Sequence, residues 1–167
     1  MITLGIDPGT ASTGFGIIRE ELDGNLTPLD YGVIHTSSEL SQAERLVQLY
    51  KKIKDIVLLH HPDNGAVEKL FFERNVRTAI NVGQARGVAL LAMAEANIII
   101  GEYTPLEVKQ AVAGYGGADK NQVQQMVKII LDLFEIPKPD DAADALAVAI
   151  CHIHSVKIRN LHNDLIK

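Results

Sequence analysis

The sequence predicts an α/β fold, a five-stranded mixed sheet with helices on both faces. Two observations carry that reading. Three short runs rich in β-branched residues open the chain, separated by tight turns, as in an antiparallel meander. The hydrophobic period then lengthens to that of a helix, and helical segments alternate with two further short apolar runs.

Residues 2–7, 14–19 and 29–35 supply the first three strands. Pro8-Gly9-Thr10 turns the chain after the first, and Asp23-Gly24-Asn25 after the second. Ser41 and Glu44 form a capping-box pair ahead of Leu46, Leu49, Tyr50, Ile53 and Val57 at helical spacing, and Pro62 stops that helix. Residues 66–71 make the fourth strand, 76–96 a long helix and 98–103 the fifth strand. Thr104, Pro105 and Glu107 then place a cap, a first-turn proline and a capping-box glutamate in order. Beyond the flexible loop Gly114-Tyr115-Gly116-Gly117, Asp119 and Gln122 open a helix with Val123, Val127, Ile130 and Leu133 or Phe134 on its core side. Pro137 and Pro139 end it, and Asp140 caps a last helix reaching about Val156. Residues 1–157 are read as one domain and 158–167 as a frayed, flexible tail.

Composition narrows the class. With 167 residues, 47% apolar and 22% charged, the chain can bury one core without staples. A lone cysteine, Cys151, excludes an internal disulfide and a Cys-rich metal site, and it reads as a small core residue. His60, His61, His152, His154 and His162 form no zinc constellation. The opening lacks the basic segment of a signal peptide and no apolar run is long enough to cross a bilayer, so the expected location is the cytoplasm. The net charge of −5 argues against a simple nucleic-acid binder. Carboxylates that hold cations are neutralised in the working protein, however, and Lys69, Arg74, Arg77, Arg86, Lys109 and Lys120 can share one face.

The informative residues are carboxylates in apolar company. Asp7 ends a strand after Ile2, Leu4 and Ile6. Glu68 interrupts Ala66-Val67-Glu68, and Asp144 lies within the alanine-rich run 142–150. A buried carboxylate costs several kcal/mol unless a cation or strong hydrogen bonds compensate it. Asp141 precedes Asp144 by three residues, so both project from one helix face. An acidic cluster with strand carboxylates on one wall and the last helix on the other suits Mg²⁺ or Mn²⁺, which prefer oxygen ligands. Plainer readings exist for three: Asp141 as a first-turn residue favoured by the helix dipole, Asp7 as a turn aspartate, Glu68 as a partner of Lys69 or an arginine; for Asp144 a capping role does not fit its position.

Five blocks resemble one family in order. Gly5-Ile6-Asp7-Pro8-Gly9 with Gly14-Phe15-Gly16 is similar to the opening of the bacterial Holliday junction resolvases of the RuvC family. Glu68-Lys69-Leu70-Phe71 resembles its second acidic motif and Gly83-Gln84-Ala85-Arg86-Gly87 a helical segment. Val108-Lys109-Gln110 with Lys120 through Gln124 fits its third region, and Asp141-Ala142-Ala143-Asp144-Ala145-Leu146-Ala147 its last acidic motif. The resemblance spans about residues 2–154.

It implies a ribonuclease H-like fold, with which the strand order is compatible. It further implies Asp7, Glu68, Asp141 and Asp144 as catalytic carboxylates holding Mg²⁺ (Mn²⁺ substituting), with two ions per site. Lys109 and Lys120 would act near the scissile phosphate, Phe71 would stack at the junction crossover, and Arg74 and Arg77 would contact the DNA backbone. A homodimer is implied, with paired symmetrical nicks leaving 5′-phosphate and 3′-hydroxyl ends, a preference for thymine-containing sites, and association with a RuvA–RuvB branch-migration complex. Ala79, Gly83 and Gly87 recur at four-residue spacing in a helix short of charge, which suits close approach of a second helix at a two-fold interface and equally suits packing within the fold.

Three rivals differ in class. A sugar-kinase- or actin-like phosphotransferase shares the glycine-rich opening but needs a second lobe for which the chain has no room. Another ribonuclease H-like nuclease, acting on RNA or flapped DNA, needs the same acidic cluster and differs only in the Phe71, Lys109 and Lys120 blocks. A binding module with a dead site is disfavoured because all four carboxylates are present.

Overall fold

The computed structural model describes residues 1–69 and 76–165, with side-chain surroundings for 1–69 and 78–162. Strands β1 (Ile2–Asp7), β2 (Ser12–Glu20), β3 (Leu26–His35), β4 (Asn64–Glu68) and β5 (Ile99–Tyr103) form one sheet in the order β3-β2-β1-β4-β5. The first three pair antiparallel, whereas β4 runs parallel to β1 and β5 parallel to β4. Helices α1 (Gln42–His60) and α2 (Val76–Glu95) cover one face; α3 (Pro105–Ala113), α4 (Lys120–Ile130) and α5 (Asp140–Leu165) cover the other.

Side-chain alternation along each strand divides the core in two. Leu4, Ile6, Ile17, Ile34 and Val67 pack with Leu49, Ile53, Ala89 and Met93 of α1 and α2. Ile18, Ala66 and Tyr103 pack with Val108, Val123, Val127, Leu146 and Ile150 of the other three helices. Cys151 is buried in this second core. Among the described residues no helix is long and apolar enough to cross a membrane.

Local signals place the helix starts as expected. Ser41 with Glu44, Thr104 with Glu107 and Asp119 with Gln122 each close a complete capping box. Val123 and Val127 lie inward on α4 and Leu133 packs beneath it, while Phe134 is fully exposed. The strands differ from expectation at their ends: β2 and β3 begin earlier, at Ser12 and Leu26, because their pairing continues past the apolar run. The last helix does not stop near Val156. It continues to Leu165, so the residues read as a frayed tail begin inside it. No glycine or proline follows Pro139 to break it, and Lys157 ties it to the sheet by an ion pair with Glu20 (2.8 Å).

Candidate active site

Two carboxylates reach the same place from adjacent strands. Ile6 of β1 is opposite Val67 of β4, so the next residues, Asp7 and Glu68, lie side by side at the carboxyl ends of two parallel strands. By alternation both point with Gly5 and Ala66 to the α5 side of the sheet, away from the α1–α2 core.

The second wall is α5, and glycine lets it come close. A β-carbon at Gly5 would fall on the carbonyl oxygen of Ala145, and one at Gly14 on that of Asp141. Glycines on the sheet face thus meet alanines on the helix, and the approach carries Asp141 and Asp144 in the first turns of α5 to Asp7. One oxygen from each of Asp7, Asp141 and Asp144 lies within 4.8 Å of the others. Gly14→Ala is expected to push α5 outward and cost about 2 kcal/mol, measured by urea denaturation; wild-type stability would show that the helix can yield.

Glu68 stands just outside this group of three. With Asp7, Asp144, Lys109, Lys120, Pro105, Val108, Val123 and Ala147 it lines a cleft of about 200 Å³. The charges there are poorly balanced. Burial, then the negative charges of Glu68, Asp144 and Asp141, push the Asp7 carboxyl up to about 7, with Lys120 acting the other way. Burial and the neighbouring Asp144 raise Glu68, against the pull of Lys109. Burial also raises Asp144, although Lys120 opposes it. For Lys120, burial pulls its ammonium down, but its bonds to Asp144 (3.0 Å) and Asp140 (3.3 Å) outweigh this and raise it. Asp7, Glu68 and Asp144 resist ionisation through burial first and like-charge repulsion second, which makes them a donor set that a hard divalent cation would neutralise.

The structure therefore brings together Asp7, Glu68, Asp141, Asp144, Lys109 and Lys120. Phe71 and Arg74 lie outside the described residues, as does the side chain of Arg77. Arg86 does not turn toward the cleft: its guanidinium pairs with Glu102 and its Nε donates to the Glu68 carbonyl oxygen (3.2 Å), bracing the ends of β4 and β5. No histidine joins an acidic or cysteine cluster among the described residues. Sequence reasoning missed two partners. Asp140, read only as a cap, shares Lys120 with Asp144. Ser12 donates its hydroxyl to Asp141 Oδ2 at 2.6 Å. Adjacent acidic residues Asp140-Asp141 were a visible signal for the first. Nothing local signals the second.

The site can be set beside known proteins. The family model described as "Crossover junction endodeoxyribonuclease RuvC" matches residues 3–152. A protein of that name from Roseiflexus sp. (strain RS-1) is 59% identical over 153 residues, 92% of this chain and 90% of its own. One from Desulfitobacterium hafniense (strain DSM 10664 / DCB-2) is 57% identical over 160 residues, 96% of each. The solved structure "T. thermophilus RuvC in complex with Holliday junction substrate" superposes with a TM-score of 0.86 at 34% identity, covering 95% of this chain and 96% of that one. With its ribonuclease H-like sheet, its acidic cleft and these relatives along nearly its whole length, the chain belongs to the RuvC family of crossover junction endodeoxyribonucleases.

Proposed function

We propose that this protein resolves Holliday junctions in DNA recombination and repair, by paired symmetrical hydrolysis of phosphodiesters in a metal-dependent reaction. One observation carries the reading: three carboxylates and two lysines from β1, β4, α3, α4 and α5 line one cleft, and Asp141 joins two of those carboxylates, in a chain of this family. A RuvC relative solved with a Holliday junction substrate supports the choice of DNA structure.

In this reading Asp7, Glu68, Asp141 and Asp144 hold Mg²⁺, with Mn²⁺ able to substitute and two ions at each site. Held by these carboxylates, such ions would supply activation of a water and stabilisation of the departing oxygen of the phosphodiester. The protein's own groups do the rest. Crowding of like charge in a half-buried cleft gives the carboxylates their affinity for cations. Lys120, held over the cluster by Asp144 and Asp140, offers N–H donors to charge developing on the phosphate, and Lys109 does so from the Glu68 side. The products carry 5′-phosphate and 3′-hydroxyl ends. Base stacking by Phe71 and backbone contacts from Arg74 and Arg77 complete the DNA surface, on the strength of family resemblance alone. The same resemblance supports a RuvA–RuvB branch-migration partner and action on chromosomal DNA in the cytoplasm.

Two cuts related by two-fold symmetry call for a two-fold enzyme. The stripe Ile80, Gln84, Gly87 and Leu91 along α2 is exposed, Ile80 by 56% and Leu91 by 59%, and nothing lies within 4 Å of where a β-carbon at Gly87 would stand. A second copy of α2 laid across it would bury this apolar surface. Leu91→Glu is expected to convert a dimer at micromolar concentration into a monomer by sedimentation velocity. A dimer that withstands Leu91→Glu and Ile80→Glu together would move the interface elsewhere.

The function is tested by incubating the protein and its Asp7→Asn variant with an immobile four-way junction and a matching duplex, with and without Mg²⁺. Mg²⁺-dependent paired nicks confined to the junction and to the unsubstituted protein are expected. Equal cutting of the duplex would assign the metal chemistry to a less selective nuclease. Binding without cutting would mean an inactive module.

A further inference from the structure

Asp141 accepts a hydrogen bond from an uncharged donor. Ser12, the first residue of β2, bonds its Oδ2 across 129 positions of sequence. An ionised carboxylate has only acceptors, so in this pair the serine must donate and the aspartate must accept. That bond takes up one of the carboxylate's acceptor sites and fixes the rotation of the carboxyl group, while one of its oxygens lies within 4.8 Å of those of Asp7 and Asp144. Without that bond, a first-turn aspartate repelled by Asp7 and Asp144 is drawn toward solvent and toward the N–H groups of its own helix start.

The hydroxyl reaches Asp141 from a stiff support. The turn between Asp7 and Ser12 is closed by Thr13, whose Oγ1 donates to the Gly9 carbonyl (2.5 Å) and accepts from the Gly9 N–H (3.3 Å). Thr10 donates to the carbonyl of Asn81 in α2 (2.8 Å), and Thr36 to the carbonyl of Thr10 (2.6 Å). Arg45 of α1 donates in turn to the Thr36 hydroxyl (2.8 Å). Asp7 and Ser12 therefore sit at the two ends of one turn tied to both helices behind the sheet. Through Ser12, β2, which that turn joins to the Asp7 end of β1, is hydrogen-bonded to the helix that carries the other acidic wall.

The geometry points to Ser12 as a positioning residue: it fixes the orientation of the Asp141 carboxylate and holds that ligand at a set distance from Asp7, so that the cluster is assembled before the metal arrives. This rests on the metal-site reading above. Outer-shell hydrogen bonds of this kind commonly change metal affinity by about 10-fold or more when removed.

The test is Mn²⁺ binding to the protein alone, by calorimetry, for the unsubstituted chain and for Ser12→Ala, Ser12→Thr and Asp7→Asn. Circular dichroism melts confirm that each is folded. Ser12→Ala is expected to weaken Mn²⁺ about 10-fold, while Ser12→Thr, which keeps a hydroxyl, recovers most of the loss. Junction nicking should follow as a split: more metal needed for half-maximal rate, with a much smaller fall at saturating metal. If Ser12→Ala binds Mn²⁺ as tightly as the unsubstituted chain while Asp7→Asn does not bind, the role of Ser12 is wrong and the metal site stands. If the unsubstituted chain binds no Mn²⁺, the metal-site reading fails and takes the role of Ser12 with it.

Discussion

Asp7→Asn is expected to abolish junction nicking, by on the order of 10³-fold or more (about 4 kcal/mol of barrier), while junction affinity changes little. Asparagine keeps the shape of the side chain but offers a neutral oxygen, and Asp7 is the strand member of the three-carboxylate group. The same substitution should stabilise the metal-free protein, and the sign follows from the raised pKa of Asp7. In the fold the carboxyl titrates at about 7, against 3.8 for an ordinary aspartate. Well below pH 4 it is protonated whether the chain is folded or not, and it contributes stability relative to its ionised form. Between pH 4 and 7 the unfolded chain ionises while the folded one resists, so that contribution is lost as pH rises and is gone above 7. At pH 8 without metal, Asp7→Asn should therefore melt higher by roughly 3–6 °C, from about 1–2 kcal/mol of relieved burial and repulsion. The gap should narrow toward pH 5. Mg²⁺ should raise the melting temperature of the unsubstituted protein and leave that of the variant unmoved. Scanning calorimetry at pH 5 and 8, with and without Mg²⁺, reads all of these. Equal melting at pH 8 would mean the cluster is not electrostatically crowded, and nicking at the wild-type rate would remove Asp7 from the metal site.

Lys120→Ala carries the second large effect, a slowing of the chemical step by on the order of 10²-fold with much less change in junction affinity. The side chain contacts Asp144 and Asp140 at the mouth of the cleft, where a phosphate oxygen would meet it. Removing it also withdraws the cation that holds the Asp144 carboxyl down against its burial. Single-turnover nicking at saturating protein separates this from weakened binding. A pure loss of affinity, with an unchanged single-turnover rate, would make Lys120 a backbone contact. Lys120→Arg should recover only part of the rate, because a planar guanidinium cannot occupy the compact position of an ammonium between two carboxylates.

Much of this protein is written locally. Three capping boxes, each an acceptor and a Glu or Gln three residues on, mark the starts of α1, α3 and α4, since the donors they satisfy lie within the same turn. Asp7, Glu68 and Asp144 are conspicuous because a carboxylate within an apolar run demands compensation wherever the run is buried. The order of short strands and helices was equally legible, and with it the mixed sheet. Element ends were less so: β2 and β3 extend by pairing with each other, and α5 passes Val156 because nothing breaks it and Lys157 anchors it to Glu20.

By itself, then, the sequence determined the helix starts, the α/β class and which carboxylates needed a partner, because each depends on residues within a turn or a strand of one another. Tertiary structure alone decided which atoms meet. The parallel pairing of β1 with β4 puts Asp7 beside Glu68, and the glycine face of the sheet lets α5 bring Asp141 and Asp144 within reach. Ser12 meets Asp141 across 129 residues, Lys120 chooses Asp140 as well as Asp144, and Arg86 turns to Glu102 rather than to the cleft. Contacts of that kind depend on strand order and close backbone approach, which hydrophobic period and local propensity do not encode.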